Sequence, residues 1–332
     1  MSATVLTVIL NYRTAPMTLR AAQAALHAMD GVEGAITIVD NDSRDGSFEA
    51  LVAGTAGMPR VRVLQSDHNG GFGAGNNVGI RAGLPDGMRP DLVYLLNSDA
   101  FPDPDAIRRL RDHLTEHPKV GFVGSHVRGE DGVLHLTAFR FPSLWSEFED
   151  AANTGAVTRL LRNRTVTMGP LAQTQAVDWC AGASIMFRSD VLDAVGLFDE
   201  TFFLYFEETD LCHRIQAAGW QGIYLPDSRV VHIGSVSTGM KTWTRKPDYW
   251  FASRGHYFRK RGGRPYLAAV TLAYLLGAGL WKLRRVLERK EERIPPYFLR
   301  DLLAHTWRDL MSAPPTRRET GTRKRAAAGD RA

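Results

Sequence analysis

Residues Asp91 to Asp105 read DLVYLLNSDAFPDPD, and the middle of this stretch decides the fold. Leu92 to Leu96 is an unbroken apolar and aromatic run, which predicts a short strand buried on both faces. The run stops abruptly at Asn97, Ser98 and Asp99, so a carboxylate stands at the strand's C-terminal end. In open α/β sheets ligands bind in the crevice beyond those ends, where Asp99 can hold a metal or meet a ligand. The alternative is that Asp99 only closes a turn. Pro102, Asp103, Pro104 and Asp105 then turn the chain and cap a helix expected from near Ala106.

The same pattern recurs upstream. Val5 to Leu10 is a β-branched run ending in Asn11, Tyr12 and Arg13, and a helical stretch follows from Pro16 to about Ala28. Ala35 to Val39 predicts a second strand ending in Asp40, Asn41, Asp42 and Ser43. Val61 to Leu64 predicts a third, followed by His68 to Asn77, HNGGFGAGNN. Strands alternating with helices at this spacing imply a mostly parallel sheet with helices on both faces and polar residues along one edge. Downstream, strands are expected at Val120 to Val123, Val133 to Leu136 and Val177 to Phe187. Helices are expected at Leu192 to Gly196 and Glu208 to Ala218, and a strand pair at Gln221 to Leu225 and Arg229 to Ile233. Residues 140–176 show no strong period and read as a mobile or inserted segment.

Four polar groups carry candidate chemistry. Asp40 ends the second strand, where a carboxylate faces the sugar or base of a nucleotide; capping the next helix is the competing role. The loop Gly70 to Gly75 allows close backbone approach to a ligand and feeds a helix N-terminus. It is not a dinucleotide fingerprint, because it follows the third strand and Val78 stands where the last glycine is required. No Gly-Lys-Ser/Thr occurs either, which excludes a P-loop and, with the failed fingerprint, argues against a nucleotide-dependent oxidoreductase. Glu207 and Glu208 follow three aromatic residues within FLYFEETD, so one carboxylate can be desolvated toward the range of a general base; ordinary first-turn acids are the other reading. His232 ends a β-branched run and is either structural or a ligand.

Taken together these motifs resemble the inverting nucleotide-sugar glycosyltransferases of family 2, which have the GT-A fold, over roughly residues 4–238. Asn11-Tyr12 and the segment from Asp40 to Ser47 look like the nucleotide-binding elements of that family, and Asn69 to Asn77 is similar to the loop of its rhamnosyltransferase-like branch. Asn97-Ser98-Asp99 stands where the family has Asp-x-Asp, Asp178 to Ala183 where it has an acceptor-side Trp and Gly, and Glu207 to Arg214 where it has Glu-Asp-x-Asp-Leu. The resemblance implies Glu208 as catalytic base, and Asp99 with His232 as ligands of Mg²⁺ or Mn²⁺. It implies donor contacts at Asn11, Tyr12, Asp40, Asn69, Gly71, Asn76 and Asn97, and acceptor contacts at Trp179, Gly182 and Glu207. Asn97 replaces the first aspartate of Asp-x-Asp, and Glu208 replaces the usual aspartate base. The implied reaction is inverting transfer from a nucleoside-diphosphate donor, with dTDP-rhamnose the leading candidate, to a saccharide or lipid-linked saccharide in cell-surface polysaccharide synthesis. A catalytically silent sugar-binding protein is the alternative, separated from the enzyme by release of nucleoside diphosphate.

Charge divides the chain. Residues 1–238 hold 19 Lys+Arg against 28 Asp+Glu, and residues 239–332 hold 22 against 8. Within the basic part, Tyr266 to Trp281 carries no charge and spans about 24 Å as a helix, short of a hydrocarbon core of about 30 Å. Its basic flanks suit a helix lying on anionic lipid, with a core or dimer-interface helix as the alternative. Phe298 to Met311 has amphipathic spacing, and residues from Ala313 onward read as a disordered tail. The expected units are a catalytic domain over 1–240, a helical basic membrane-associating extension over 241–312 and a tail over 313–332. No nucleic-acid module accompanies the basic residues. Two cysteines, Cys180 and Cys212, form no disulfide framework, and Met1 to Leu10 lacks a secretory pattern. The expected location is the cytoplasmic face of the cell membrane, and a chain ending near Arg264 is expected to stay soluble and active.

Overall fold

The computed structural model describes residues 3–234 and 244–312. In chain order the elements are β1 (Val5–Asn11), α1 (Ala15–Ala28), β2 (Gly34–Asp40), α2 (Ser47–Thr55), β3 (Val61–Gln65), α3 (Gly71–Ala82), β4 (Leu92–Asn97), β5 (Ala100–Pro102), α4 (Ala106–Glu116) and β6 (Val120–Arg128). Then come β7 (Leu134–His135), β8 (Ala138–Phe139), α5 (Leu144–Ala152), α6 (Gly155–Leu160), β9 (Gln175–Val177), β10 (Trp179–Cys180), β11 (Ser184–Arg188), α7 (Ser189–Val195), α8 (Glu207–Ala217), β12 (Gln221–His232), α9 (Asp248–Glu288) and α10 (Phe298–Met311). The main sheet runs β3-β2-β1-β4-β11-β6-β12-β5, with β1, β2, β3 and β4 mutually parallel.

The run at Leu92 to Leu96 is buried on both faces for the reason its composition suggests. Leu92, Tyr94 and Leu96 pack into the core beneath α1 and α4, while Val93 and Leu95 pack into the opposite core beneath α3, α7 and α8. Register then aligns the strand ends: Asn11 lies opposite Asp40, and Leu10 opposite Asn97. The polar exits of three strands therefore form one row.

Five local expectations are corrected. Beyond Asp99 the chain does not simply turn; it adds β5, antiparallel to β12, with Ala100 opposite His232. Asp105 occupies the N-cap position of α4 without capping an N–H, because its carboxylate pairs with Arg109 at 2.6 Å. Val177 to Phe187 is broken into three pieces: β9 on β12, β10 on β8, and only β11 between β4 and β6. The expected strand pair at 221–233 is one strand, β12, irregular between Leu225 and Arg229 where Pro226 cannot donate to a ladder. Residues 140–176 contain two helices, α5 closed by a reciprocal Ser143/Ser146 cap and α6 capped by Thr154.

The expected boundary at residue 240 and the tail from 313 lie outside the described residues. The two C-terminal helices, α9 and α10, are packed into the rest of the molecule. α9 is two helical arms joined at Gly262 and Gly263, whose φ/ψ of −155°/23° and 71°/−170° are not helical, with Pro265 just beyond. Tyr257, Phe258, Leu267 and Val270 of α9 share a core with Phe202, joined at its edge by Phe206 and Leu310. On the second arm a Cβ at Gly277 would lie 2.4 Å from the Phe148 carbonyl oxygen, so only glycine lets α5 and α9 approach this closely. Arg254, 1% exposed, joins the two helices through Glu147 at 2.5 Å. Removing Glu147 would strand the buried Arg254 charge, at a cost of about 3–5 kcal/mol.

Candidate active site

The row of strand ends is held by its own side chains. Asn11 and Asp40 are fully buried; Asn11 Nδ2 donates to Asp40 Oδ1 at 2.7 Å, and Ser43 Oγ donates to the same oxygen at 2.6 Å. The Ser43 N–H donates to the second Asp40 oxygen at 3.1 Å, so Asp40 shapes the loop after β2 and does not reach solvent. Tyr12 is half-buried, with the Arg13 guanidinium 5.0 Å from its ring centre. Asn69 Oδ1 accepts from Asn41 Nδ2 at 2.9 Å and from the Gly71 N–H at 3.0 Å, tying the loops after β2 and β3 together. Asn76 is buried and donates to the Phe72 carbonyl at 2.9 Å inside the first turns of α3.

At the end of β4, Asp99 is 5% exposed and its Oδ1 lies 3.0 Å from His232 Nε2. The Gly234 N–H donates to Oδ2 at 3.1 Å, and the Asn97 amide stands 3.3 Å from the same imidazole nitrogen. Burial alone would raise the Asp99 carboxyl, but the hydrogen bond and charge of His232 and the Gly234 N–H outweigh it, leaving the group below its ordinary value. Among the described residues no three His, Cys, Asp or Glu side chains gather as a metal cluster. The Asp99 and His232 pair nonetheless fits a divalent cation of the kind that takes few protein ligands and completes its shell with phosphate oxygens and water.

The second acidic group sits across the β4–β11 pairing. Asn97 N–H donates to the Ala183 carbonyl at 3.1 Å, and the backbone N–H of the neighbouring Gly182 offsets part of the burial that raises the Glu208 carboxyl. Glu207 and Glu208 begin α8, immediately after Tyr205 and Phe206, both left-handed at φ of 70° and 69°. Two consecutive non-glycine residues in that region cost about 1–3 kcal/mol each, so this loop persists because its surroundings impose it. Gly71 supplies part of the constraint: the Phe72 N–H donates to the Phe203 carbonyl at 3.0 Å, and a Cβ at Gly71 would lie 1.7 Å from that oxygen. The glycine-rich loop therefore props the Glu207-Glu208 corner.

Burial raises both carboxyls above the ordinary glutamate range. Glu207 is raised further, by its burial and then by the charge of Glu208. Among the described residues the Oε2 atom of each is buried without a hydrogen-bond partner. Of the two, only Glu208 lines the large cavity, about 840 Å³, whose walls include Trp179, Arg140, Asp150, Trp250 and Arg293. Trp179 stacks on Phe139 with ring centres 4.2 Å apart and donates Nε1–H to the Arg140 carbonyl at 3.0 Å. Gly182 abuts the Phe72 ring, 2.9 Å from where a Cβ would stand.

The first arm of α9 completes the corner, and the motifs in the sequence assign none of its residues to the site. Lys260 bridges Asp199 and Asp210 at 2.8 Å each, Arg214 pairs with Asp210 at 2.9 Å, and Ser253 Oγ donates to the Leu204 carbonyl at 3.0 Å. His256 adds a contact to Asp199 at 3.0 Å, and its hydrogen bond with that of Lys260 holds the Asp199 carboxyl far below its ordinary value. Trp250, Tyr257 and Phe258 surround Phe206. The one signal in the sequence is the alternation of aromatic and basic residues from Tyr249 to Arg261.

A mostly parallel sheet with a carboxylate and histidine at its strand ends, and a half-buried carboxylate lining a cavity beside them, is the arrangement of a GT-A glycosyltransferase. The chain belongs to the family described as glycosyltransferase like family 2, whose model matches residues 3–263. It is 31% identical over 213 residues, 61% of this chain and 68% of the relative, to the N-acetylglucosaminyl-diphospho-decaprenol L-rhamnosyltransferase of Mycobacterium tuberculosis. It is also 31% identical over 170 residues, 49% of this chain and 60% of the relative, to the rhamnosyltransferase WbbL of Escherichia coli K12. Among solved structures the fold is shared with a mannosyltransferase from Pyrobaculum calidifontis in complex with GDP-Man and Mn²⁺, at a TM-score of 0.59 and 17% identity, over 94% of this chain and 88% of that one.

Proposed function

We propose that this glycosyltransferase moves a deoxyhexose, with dTDP-rhamnose the leading donor, onto a hydroxyl of a lipid-linked saccharide during cell-surface polysaccharide synthesis, with inversion at the anomeric carbon. The rhamnosyltransferase relatives support the donor and the lipid-linked acceptor. The observation that carries the mechanism is that Glu208 lines the large cavity, with one carboxylate oxygen that meets no hydrogen-bond partner among the described residues. Glu208 takes the proton from the acceptor hydroxyl as that oxygen attacks the face of the sugar opposite the diphosphate. Trp179 offers a ring face to the acceptor sugar. Asp99 and His232 are the residues that would hold Mg²⁺ or Mn²⁺, which when bound would supply Lewis-acid stabilisation for the leaving diphosphate. Asn97 keeps the His232 imidazole oriented.

The membrane part of the reading rests on α9. It is long and apolar enough to cross a bilayer, at a mean hydropathy of 1.4, but 39% of its apolar window is buried against protein. Leu272, Leu276, Leu283 and Leu287 recur on its exposed side, each more than half exposed. That distribution supports a helix that lies on lipid at the cytoplasmic face. The test is a panel of nucleotide sugars with Mg²⁺ or Mn²⁺ and a polyprenyl-diphosphate-linked N-acetylglucosamine acceptor, scored by nucleoside diphosphate release and by the mass of the lipid product. Rhamnosylated lipid is expected; equal use of unrelated donors, or no product with any, overturns the assignment.

A further inference from the structure

A second cavity, about 290 Å³, shares Glu147, Asp150, Asn153, Trp250 and Arg293 with the large one, so the two form a continuous cleft leading away from Glu208. Its far wall is apolar: Tyr274 and Trp281 of α9, Phe298 of α10, and Ile294 and Pro295 from the connection between those helices. Charge at the junction is unevenly matched. Glu147 is paired with the buried Arg254, and Asp150 faces Lys246, whose Nζ lies 4.6 Å over the Trp250 ring. Arg293 lies 5.8 Å over the Trp281 ring, and among the described residues no carboxylate pairs with its guanidinium. Arg293 is exposed, and Glu147 and Asp150 line the same junction, but those carboxylates face Arg254 and Lys246; an exposed planar cation where a polar cavity meets an apolar wall matches a ligand that carries phosphate between a sugar and a hydrocarbon chain.

We propose that Arg293 reads the phosphate of the acceptor and that the smaller cavity takes the first apolar units of the chain attached to it. This deepens the lipid-linked acceptor reading and rests on it. The acceptor then lies with its reacting sugar against Glu208 and Trp179, its phosphate at Arg293, and its chain along Trp281 and Phe298, on a helix whose other side carries the exposed leucines.

The probe is farnesyl diphosphate, a soluble short isoprenoid, titrated into the full chain without metal and followed by tryptophan fluorescence, since Trp250 and Trp281 line the cleft. Arg293→Met should weaken binding at least tenfold, Arg293→Lys less, and inorganic diphosphate or farnesol alone should each bind at least tenfold more weakly than the joined molecule. Unchanged binding in Arg293→Met overturns the proposal. Loss of binding in Asp99→Ala but not in Arg293→Met would put the probe in the donor site and also overturn it. Diphosphate binding as tightly as farnesyl diphosphate would remove the role of the smaller cavity. If the Arg293 dependence holds but no donor is turned over, the sugar transfer falls while the reading of this cleft as a site for an isoprenoid phosphate stands. If transfer to lipid proceeds without dependence on Arg293, the inference alone falls.

Discussion

Glu207 and Glu208 are adjacent and both pushed upward, but Glu207 is buried while Glu208 is half-buried and lines the large cavity. Glu208 is the carboxylate that lines the cavity, so it is the one an acceptor hydroxyl can reach, and its raised value suits it to act as base near neutral pH. Glu208→Gln should lower kcat by about 10²- to 10⁴-fold with a small change in donor KM, while Glu207→Gln retains most activity. The reverse result in steady-state kinetics would exchange the two roles. The acid limb of the rate profile should lie above the ordinary glutamate range, since the base must be ionised. Stability carries the same sign. A buried carboxyl with a raised folded value stabilises fully at low pH, and that contribution is lost as pH rises and the unfolded chain ionises freely. Glu207→Gln should therefore raise Tm more at pH 8 than at pH 4, read by thermal melts. At the other carboxylate, Asp99→Ala should abolish metal-stimulated turnover, because within Asn97-Ser98-Asp99 no second carboxylate substitutes for it; unchanged metal stimulation in a folded variant would remove the ligand assignment.

Among the elements, the glycine-rich loop and α8 act as one unit. Gly46 and Gly71 have nearly equal positive φ, 83° and 87°, but a Cβ at Gly46 meets nothing within 4 Å, whereas at Gly71 it strikes the Phe203 carbonyl. Gly46→Ala should cost only the backbone term, about 1–2 kcal/mol. Gly71→Ala should lower Tm further and reduce kcat as well, because the Phe203 corner that seats Glu208 must move. Equal effects of the two substitutions on kcat would show that the loop does not position α8. Lys260 tests the opposite side of the same unit. Lys260→Met leaves Asp199 and Asp210 without their shared cation and should reduce kcat more than KM, with partial recovery in Lys260→Arg.

For the whole molecule, the packing of α9 on α5 revises the expectation that a chain ending near Arg264 stays active. Such a chain loses Gly277 and Trp281 and exposes the α5 face whose Ser146, Glu147 and Asp150 line the cleft. Its Tm and its transfer activity should both fall. The membrane question is better tested on the exposed side, where Leu272→Glu with Leu276→Glu should leave the melt unchanged and abolish sedimentation with anionic vesicles. Vesicle binding equal to that of the parent would show that this face does not meet lipid.

Strands β1, β2 and β4, their burial on both faces and the polar residues at their ends were determined by the sequence alone, because unbroken apolar runs that stop at Asn11, Asp40 and Asn97 are local signals. The same holds for α1, α4, α8 and α10, whose periods lie within the elements. Three things were decided only by tertiary structure. His232 meets Asp99 through the pairing of β5 with β12, and the three residues of β5 are too few to show a period. Residues 140–176 become helical walls of the cleft because α9 covers them from more than a hundred residues away. The difference between Glu207 and Glu208 is one of desolvation: side by side in sequence and alike in chemistry, they are separated by which one the fold turns toward the cavity.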